Sequence, residues 1–169
     1  YKIPEPGNFP IFLPSHIIFG FQKRFQEQGL TPTLLQTGFE HESNGKADES
    51  SRSINTLFVR PVWYYELEEG RTFTFLPKFY WYLEKSDNPD IQRYRGYADW
   101  NFRYGNEDGW LLTSQLRWGT SKHGSALIAL SYPTRNLIFS RTGGFLYFQL
   151  FSGYGESILD YNLNNGTQF

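Results

Sequence analysis

The segment Thr37-Gly38-Phe39-Glu40-His41-Glu42-Ser43-Asn44-Gly45 sets a histidine two residues before a serine. In an extended strand, side chains at i and i+2 point the same way. His41 and Ser43 therefore share a face with Leu35, Thr37 and Phe39. Beyond the polar stretch 44–52 a second alternating run begins, in which Asn55 shares its face with Leu57, Val59 and Trp63. If the two runs pair as a hairpin, Asn55 stands beside His41. A serine hydroxyl is a poor nucleophile until a base takes its proton, and a neutral imidazole is the usual base. The base needs a partner that holds its ring and tautomer, and an amide oxygen can accept the imidazole N–H. A carboxylate would do so too, but burying its charge on an apolar face costs more. The amide gives up electrostatic support of the imidazolium in return. A histidine two residues from a serine also arises by chance; what singles out this one is its apolar strip, where polar groups cost energy and tend to be functional. His16 and His123 show no such constellation.

The stretch Lys46-Ala47-Asp48-Glu49-Ser50-Ser51-Arg52-Ser53 follows the serine and offers carbonyls, hydroxyls and carboxylates. Such hard oxygen donors suit calcium. They equally make an ordinary solvated loop, and no EF-hand spacing is present.

The elements that must position these residues are strands. Segments of about ten residues with period-2 alternation recur between Gly, Asn, Asp and Pro clusters. Over 93–105, Tyr94, Gly96, Ala98, Trp100, Phe102 and Tyr104 oppose Arg95, Asp99, Asn101 and Arg103. Over 109–118, Trp110, Leu112, Leu116 and Trp118 oppose Thr113, Gln115 and Arg117. The runs 53–67 and 71–84 alternate in the same sense, and strands are also expected at 11–24, 33–43, 123–132 and 143–153, about eight in all. Pro61 and Pro77 lie inside two runs, where a missing N–H points to bulges. Short turns at 68–70 and 106–109 contrast with the longer loops 44–52 and 85–92. In bacterial barrels the longer loops face outward, so 44–52 is expected to be extracellular.

Composition narrows the class. The 169 residues carry net charge -1, no cysteine and no methionine, and 20% of them are aromatic. A disulfide framework, a thiolate metal site and a cysteine nucleophile are excluded. Near-neutral charge argues against a nucleic-acid partner, and the aromatic content argues against disorder. No apolar run approaches the ~18 residues of a membrane-spanning helix. Mean hydropathy is nonetheless negative, which fits a sheet with one apolar and one wet face. Two all-β folds share that pattern: a transmembrane antiparallel barrel with its apolar face outward, and a soluble barrel or sandwich enclosing an apolar ligand. Trp and Tyr near strand ends favour the first.

At these residues the sequence resembles the outer membrane phospholipase A family, calcium-dependent lipolytic barrels of Gram-negative bacteria. The carriers are HESNG at 41–45, SRSIN at 51–55, SDNPDI at 86–91, LSYP at 130–133 and SGYGESILDYN at 152–162, in that order. The resemblance implies a twelve-stranded antiparallel transmembrane β-barrel in the outer membrane with its catalytic residues on the outer surface. It implies Ser43 as nucleophile, His41 as general base and Asn55 as the residue orienting the histidine. The implied reaction is hydrolysis of acyl esters of phospholipids and lysophospholipids through an acyl-enzyme, in a homodimer whose calcium ion stabilises the oxyanion. Ser51 matches the hydroxyl ligand, and Lys46, where arginine is usual, would offer its carbonyl. Asp48 and Asp87 resemble acidic positions of a second, weaker calcium site. The partner subunit's ligand stays unassigned. With about eight strands visible, the chain 1–169 is expected to be a single barrel domain, incomplete at both ends, with no closing strand after Asn162. The alternative is a non-catalytic outer-membrane barrel or porin-like protein that keeps the scaffold.

Overall fold

The computed structural model describes residues 15–25, 32–46, 49–134 and 144–168. The expected positions 11–14 and 143 and the site residue Asp48 lie outside them. Among the described residues ten strands form one antiparallel sheet: β1 Ser15–Arg24, β2 Leu34–Ser43, β3 Ser53–Glu66, β4 Thr72–Phe75, β5 Lys78–Glu84, β6 Ala98–Gly105, β7 Leu111–Trp118, β8 Gly124–Pro133, β9 Phe145–Tyr154 and β10 Asn164–Gln168. Neighbours in sequence are neighbours in the sheet, with β4 and β5 sharing one place between β3 and β6. This is the meander from which up-and-down barrels are built.

Alternation decides which face is which. Ile17, Phe19 and Phe21 of β1, Leu57 of β3, Trp81 and Leu83 of β5, Trp110 before β7 and Trp118 at its end all stand exposed on the outer face. The inner face carries ions instead: Arg117 pairs with Asp99 at 2.7 Å, Arg95 with Glu42 at 2.8 Å, and Lys78 with Glu40. With Arg60, Asn101 and Gln115 these side chains line a cavity of about 240 Å³. Apolar outside and charged inside is the transmembrane arrangement, and it removes the soluble barrel with an apolar lumen. Outward rings also stack across strands toward the short turns: Trp63 on Phe75 at 5.5 Å, Phe75 on Phe102 at 5.0 Å, and Tyr65 on Phe73 at 6.3 Å. They form an aromatic girdle of the kind found at a membrane interface.

Three expectations change. The run 71–84 is broken at Leu76-Pro77, giving β4 and β5. Pro77, which has no N–H to give a ladder, is fully buried at the break. Pro61 is accommodated on β3 between the stretch that pairs with β5 and the stretch that pairs with β4, so its missing donor costs nothing on that side. The run 93–105 does not begin as a strand. Gln92–Arg95 form one helical turn, α1, and β6 starts only at Ala98. Gly96 ends that turn at φ +71°, and a Cβ there would lie 2.0 Å from the Trp118 carbonyl oxygen. Finally, a strand does follow Asn162: β10 pairs with β9 through Asn164↔Tyr154 and Asn165↔Gly153.

The loops sort by end. Turns 67–71 and 106–110 close one end, whereas the described residues 44–46 and 49–52, with 85–97 and 155–163, gather at the other. There Ile54, Ile91, Ile158 and Tyr161 form a small apolar cluster, with Tyr82 and Tyr94 packed against it. Asn88 and Ile91 are fully buried, so 85–97 is a packed lid over the barrel end and not a solvated connection.

Candidate active site

The β2–β3 hairpin runs in unbroken register from Leu34↔Val62 to Ser43↔Ser53. His41 therefore faces Asn55 directly, and residues opposite each other in an antiparallel pair project to the same side. His41 Nδ1 and Asn55 Oδ1 are 2.7 Å apart. Since Oδ1 only accepts, Nδ1 carries the hydrogen, and the lone pair sits on Nε2. That is the tautomer a general base needs. Ser43 lies two residues along the same strand, about 7 Å of strand rise away, on the same outward face. His41, Ser43 and Asn55 are all half-buried. The patch opens toward lipid, beside the exposed Leu57 and Trp81.

The inner face fixes this outer one. Glu42 lies between His41 and Ser43 and points into the barrel, where Arg95 grips both its oxygens at 2.8 and 3.3 Å. Arg95 also donates to the Gly155 carbonyl at 3.1 Å. One buried guanidinium thus joins α1, the 155–163 loop and the strand that carries the histidine and serine. Planar, bidentate pairing makes such a clamp directional.

Asn44, buried immediately after Ser43, organises the next loop. Its Oδ1 accepts from the backbone N–H groups of Lys46 (3.2 Å) and Arg52 (3.0 Å), and its Nδ2 donates to the Ser50 carbonyl (2.7 Å). Lys46 and Ser51, the two expected metal ligands of this loop that are among the described residues, are tied respectively to the Asn44 side chain and to the residues on either side, Ser50 and Arg52, that it bonds. Their donors are a carbonyl and a hydroxyl, hard oxygens that fit calcium. They are too few to complete its shell of about 6–8 oxygens, so water or another chain must add ligands. Among the described residues no group of three or more His, Asp or Glu side chains is placed to hold a metal ion. Asp87 accepts a hydrogen bond from the Ser53 hydroxyl at 3.0 Å, and Asn88 Nδ2 donates to the Ser53 carbonyl at 3.0 Å. The residue opposite Ser43 is thereby pinned to the lid.

The sequence reading passed over Asn44, Asn88 and Arg95. Asn44-Gly45 is a turn signal, but nothing local announces that Asn88 is buried or that Arg95 reaches β2. His123, whose neighbours in sequence form no catalytic constellation, stacks on Tyr94 at 4.5 Å in the turn before β8 and donates to the Arg93 carbonyl at 3.2 Å. In the same end cluster Tyr161 donates to Asp90. Burial, and then that carboxylate, push its hydroxyl up to about 12.

Comparison with known proteins gives the family. Residues 14–167 match the family model described as Phospholipase A1. The chain belongs to the phospholipase A1 family. It is 35% identical over 149 residues to phospholipase A1 of Escherichia coli K12 and 34% identical to that of Salmonella typhimurium, covering 88% of this chain and 48% of each relative. It thus spans about half the length of the curated relatives it matches. Among solved structures it resembles outer membrane phospholipase A from E. coli, with a TM-score of 0.67 at 32% identity over 88% of this chain and 54% of that one. It also resembles the Salmonella typhi outer membrane phospholipase dimer with bound calcium, with a TM-score of 0.67 at 31% identity over 88% of this chain and 55% of that one. A further match is an E. coli variant in which an active-site asparagine is replaced by alanine. As a phospholipase A1 family barrel with an apolar outer face, the chain is an outer-membrane protein of the Gram-negative type.

Proposed function

We propose that this barrel hydrolyses acyl esters of phospholipids and lysophospholipids, with phospholipase A1 and A2 activity, through Ser43, His41 and Asn55. The observation that carries the reading is the 2.7 Å contact between His41 Nδ1 and Asn55 Oδ1 on the lipid-facing side of the strand that bears Ser43. Nε2 of His41 takes the Ser43 hydroxyl proton as Oγ attacks the ester carbonyl. The tetrahedral intermediate collapses when the imidazolium returns that proton to the departing alcohol, leaving an acyl-serine. Water, deprotonated by the same nitrogen, attacks the acyl-serine and releases the fatty acid. Throughout, Asn55 holds the ring in the productive tautomer. Outer-leaflet lipid reaches the site from the side, because the residues lie on the outer wall and not in the lumen.

Calcium is the proposed cofactor, held by the Ser51 hydroxyl and the Lys46 carbonyl, with Asp48 and Asp87 serving a second, weaker site. When bound, it supplies electrostatic stabilisation of the oxyanion. The calcium-bound dimer among the related structures supports a homodimer as the active form. A shared site would supply the ligands this loop lacks. Replacing Ser43 with Ala should abolish ester hydrolysis in detergent micelles containing calcium while leaving the barrel folded; retained turnover refutes the nucleophile. A chelator should silence the wild-type protein reversibly, and indifference to it removes calcium from the reading.

A further inference from the structure

The strand beyond Asn55 carries a feature that its period alone would not produce. On β5 the register with β3 slips between Thr56↔Tyr82 and Asn55↔Glu84, so Leu83 is an extra residue. Without the bulge, Leu83 would face Asn55 and Glu84 would turn toward the lumen. With it, Glu84 stands opposite Asn55 on the outward side, and re-aiming a side chain beside a functional site is what such bulges do. The carboxylate is fixed there. Its Oε1 accepts the Ser86 backbone N–H at 2.6 Å and also the Ser86 hydroxyl. Asn55 on β3 stands between it and His41 on β2, so the carboxylate and the imidazole are two strand spacings, about 9–10 Å of backbone, apart on one face.

We propose that Glu84 is a positioning residue for the His41–Asn55 pair, supplying from the neighbouring strand the negative charge that the amide lacks. An asparagine orients the imidazole but brings only a dipole, not a charge, to the imidazolium that forms as Ser43 is deprotonated. A carboxylate in its place would sit against acyl chains and lose its hydration. Glu84 avoids that cost. It lies at the end of β5 where the exposed Ser86 begins the loop, so its charge stays at the water boundary while its field reaches the histidine. The other groups around His41 are accounted for. Ile17 faces it from β1, Glu42 on its own strand turns inward onto Arg95, Asp87 takes the Ser53 hydroxyl, and Lys85 donates to the Pro89 carbonyl. This inference rests on the proposed function above and deepens it.

The test compares wild type, Glu84→Gln and Glu84→Asp in micelles with calcium. Gln preserves the shape and an oxygen for Ser86, and Asp preserves the charge. For Glu84→Gln, kcat should fall about threefold to tenfold with KM unchanged, and the gap should narrow as salt rises. Glu84→Asp should recover most of the loss. Independently of turnover, the His41 imidazole N–H proton resonance, which reports the bond to Asn55, should shift in Glu84→Gln and return toward wild type in Glu84→Asp. An unmoved resonance overturns the proposal, as does a loss of kcat that neither salt nor the Asp variant alters. A set of proteins whose resonances respond in this way but whose wild type hydrolyses no ester refutes the proposed function and leaves the role of Glu84 toward His41 standing.

Discussion

Replacing Asn55 with Ala isolates one bond. The contact it removes is 2.7 Å long, and in the proposed reaction its acceptor faces an imidazole that becomes positively charged in the transition state. A hydrogen bond to a group that becomes charged contributes about 1.5–3 kcal/mol. At about 1.4 kcal/mol per decade, that is a loss of about 10- to 150-fold in kcat. The substitution should not unfold the protein. The β2–β3 ladder is made by backbone groups, and a shortened side chain on the outer wall leaves space that detergent or lipid fills. Micellar ester hydrolysis with calcium, read as separate kcat and KM values, should show the loss in kcat with little change in KM. Asn55→Asp, which keeps an acceptor at the same reach, should stay well above Asn55→Ala. Because the side chains act as a unit, adding Asn55→Ala to Ser43→Ala should cost nothing more. Turnover within twofold of wild type for Asn55→Ala would refute the orienting role, and a loss confined to KM would make the contact a binding feature instead.

Two further substitutions probe the supports of the site. Asn44→Ala removes three side-chain bonds that tie Lys46, Ser50 and Arg52 together. The calcium concentration for half-maximal hydrolysis should rise about tenfold, as expected for losing about 1.4 kcal/mol of preorganisation, whereas kcat at saturating calcium should barely move; an unchanged calcium requirement would dissociate this loop from the metal. Arg117→Met leaves Asp99 buried in the barrel wall without its 2.7 Å partner. Breaking a buried pair from one side costs about 3–5 kcal/mol. Denaturant unfolding in micelles should show that loss, and Asp99→Leu in the same chain should restore most of it. A stability unchanged by Arg117→Met alone would mean that water in the lumen already screens the pair.

What the sequence could convey is set by the range of its signals. Period-2 alternation is local, so the outward strips of β2, β3 and β7 and the facing of His41 by Asn55 were legible from residue spacing across 44–52. Local patterns misled where tertiary packing overrides them. Tyr94, Gly96 and Ala98 continue the alternation of β6 backward, yet Ile91 and Arg95 are drawn into the end of the barrel, and the chain coils into α1. The short run Asn164–Gln168 has no apolar alternation at all and becomes a strand because β9 offers it an edge. Glu84 illustrates the remaining gap: it reads as a polar residue at a strand end, and only a one-residue slip brings it opposite Asn55.

The same alternation links precision at the site to the lid. Glu40 and Glu42 point inward from the strand whose His41 and Ser43 point outward, so any force on the inner pair is transmitted to the outer one within a single residue of backbone. Arg95 belongs to α1, and α1 is held by packing of Ile91 and Tyr94 against Ile158 and Tyr161. The proposed lipid-facing site is therefore aligned from the water-facing end of the barrel, by residues remote from the outer face. That arrangement fits a site whose own surroundings are fluid acyl chains: lipid cannot hold an imidazole in place, so the rigidity has to come through the barrel wall from the packed polar side.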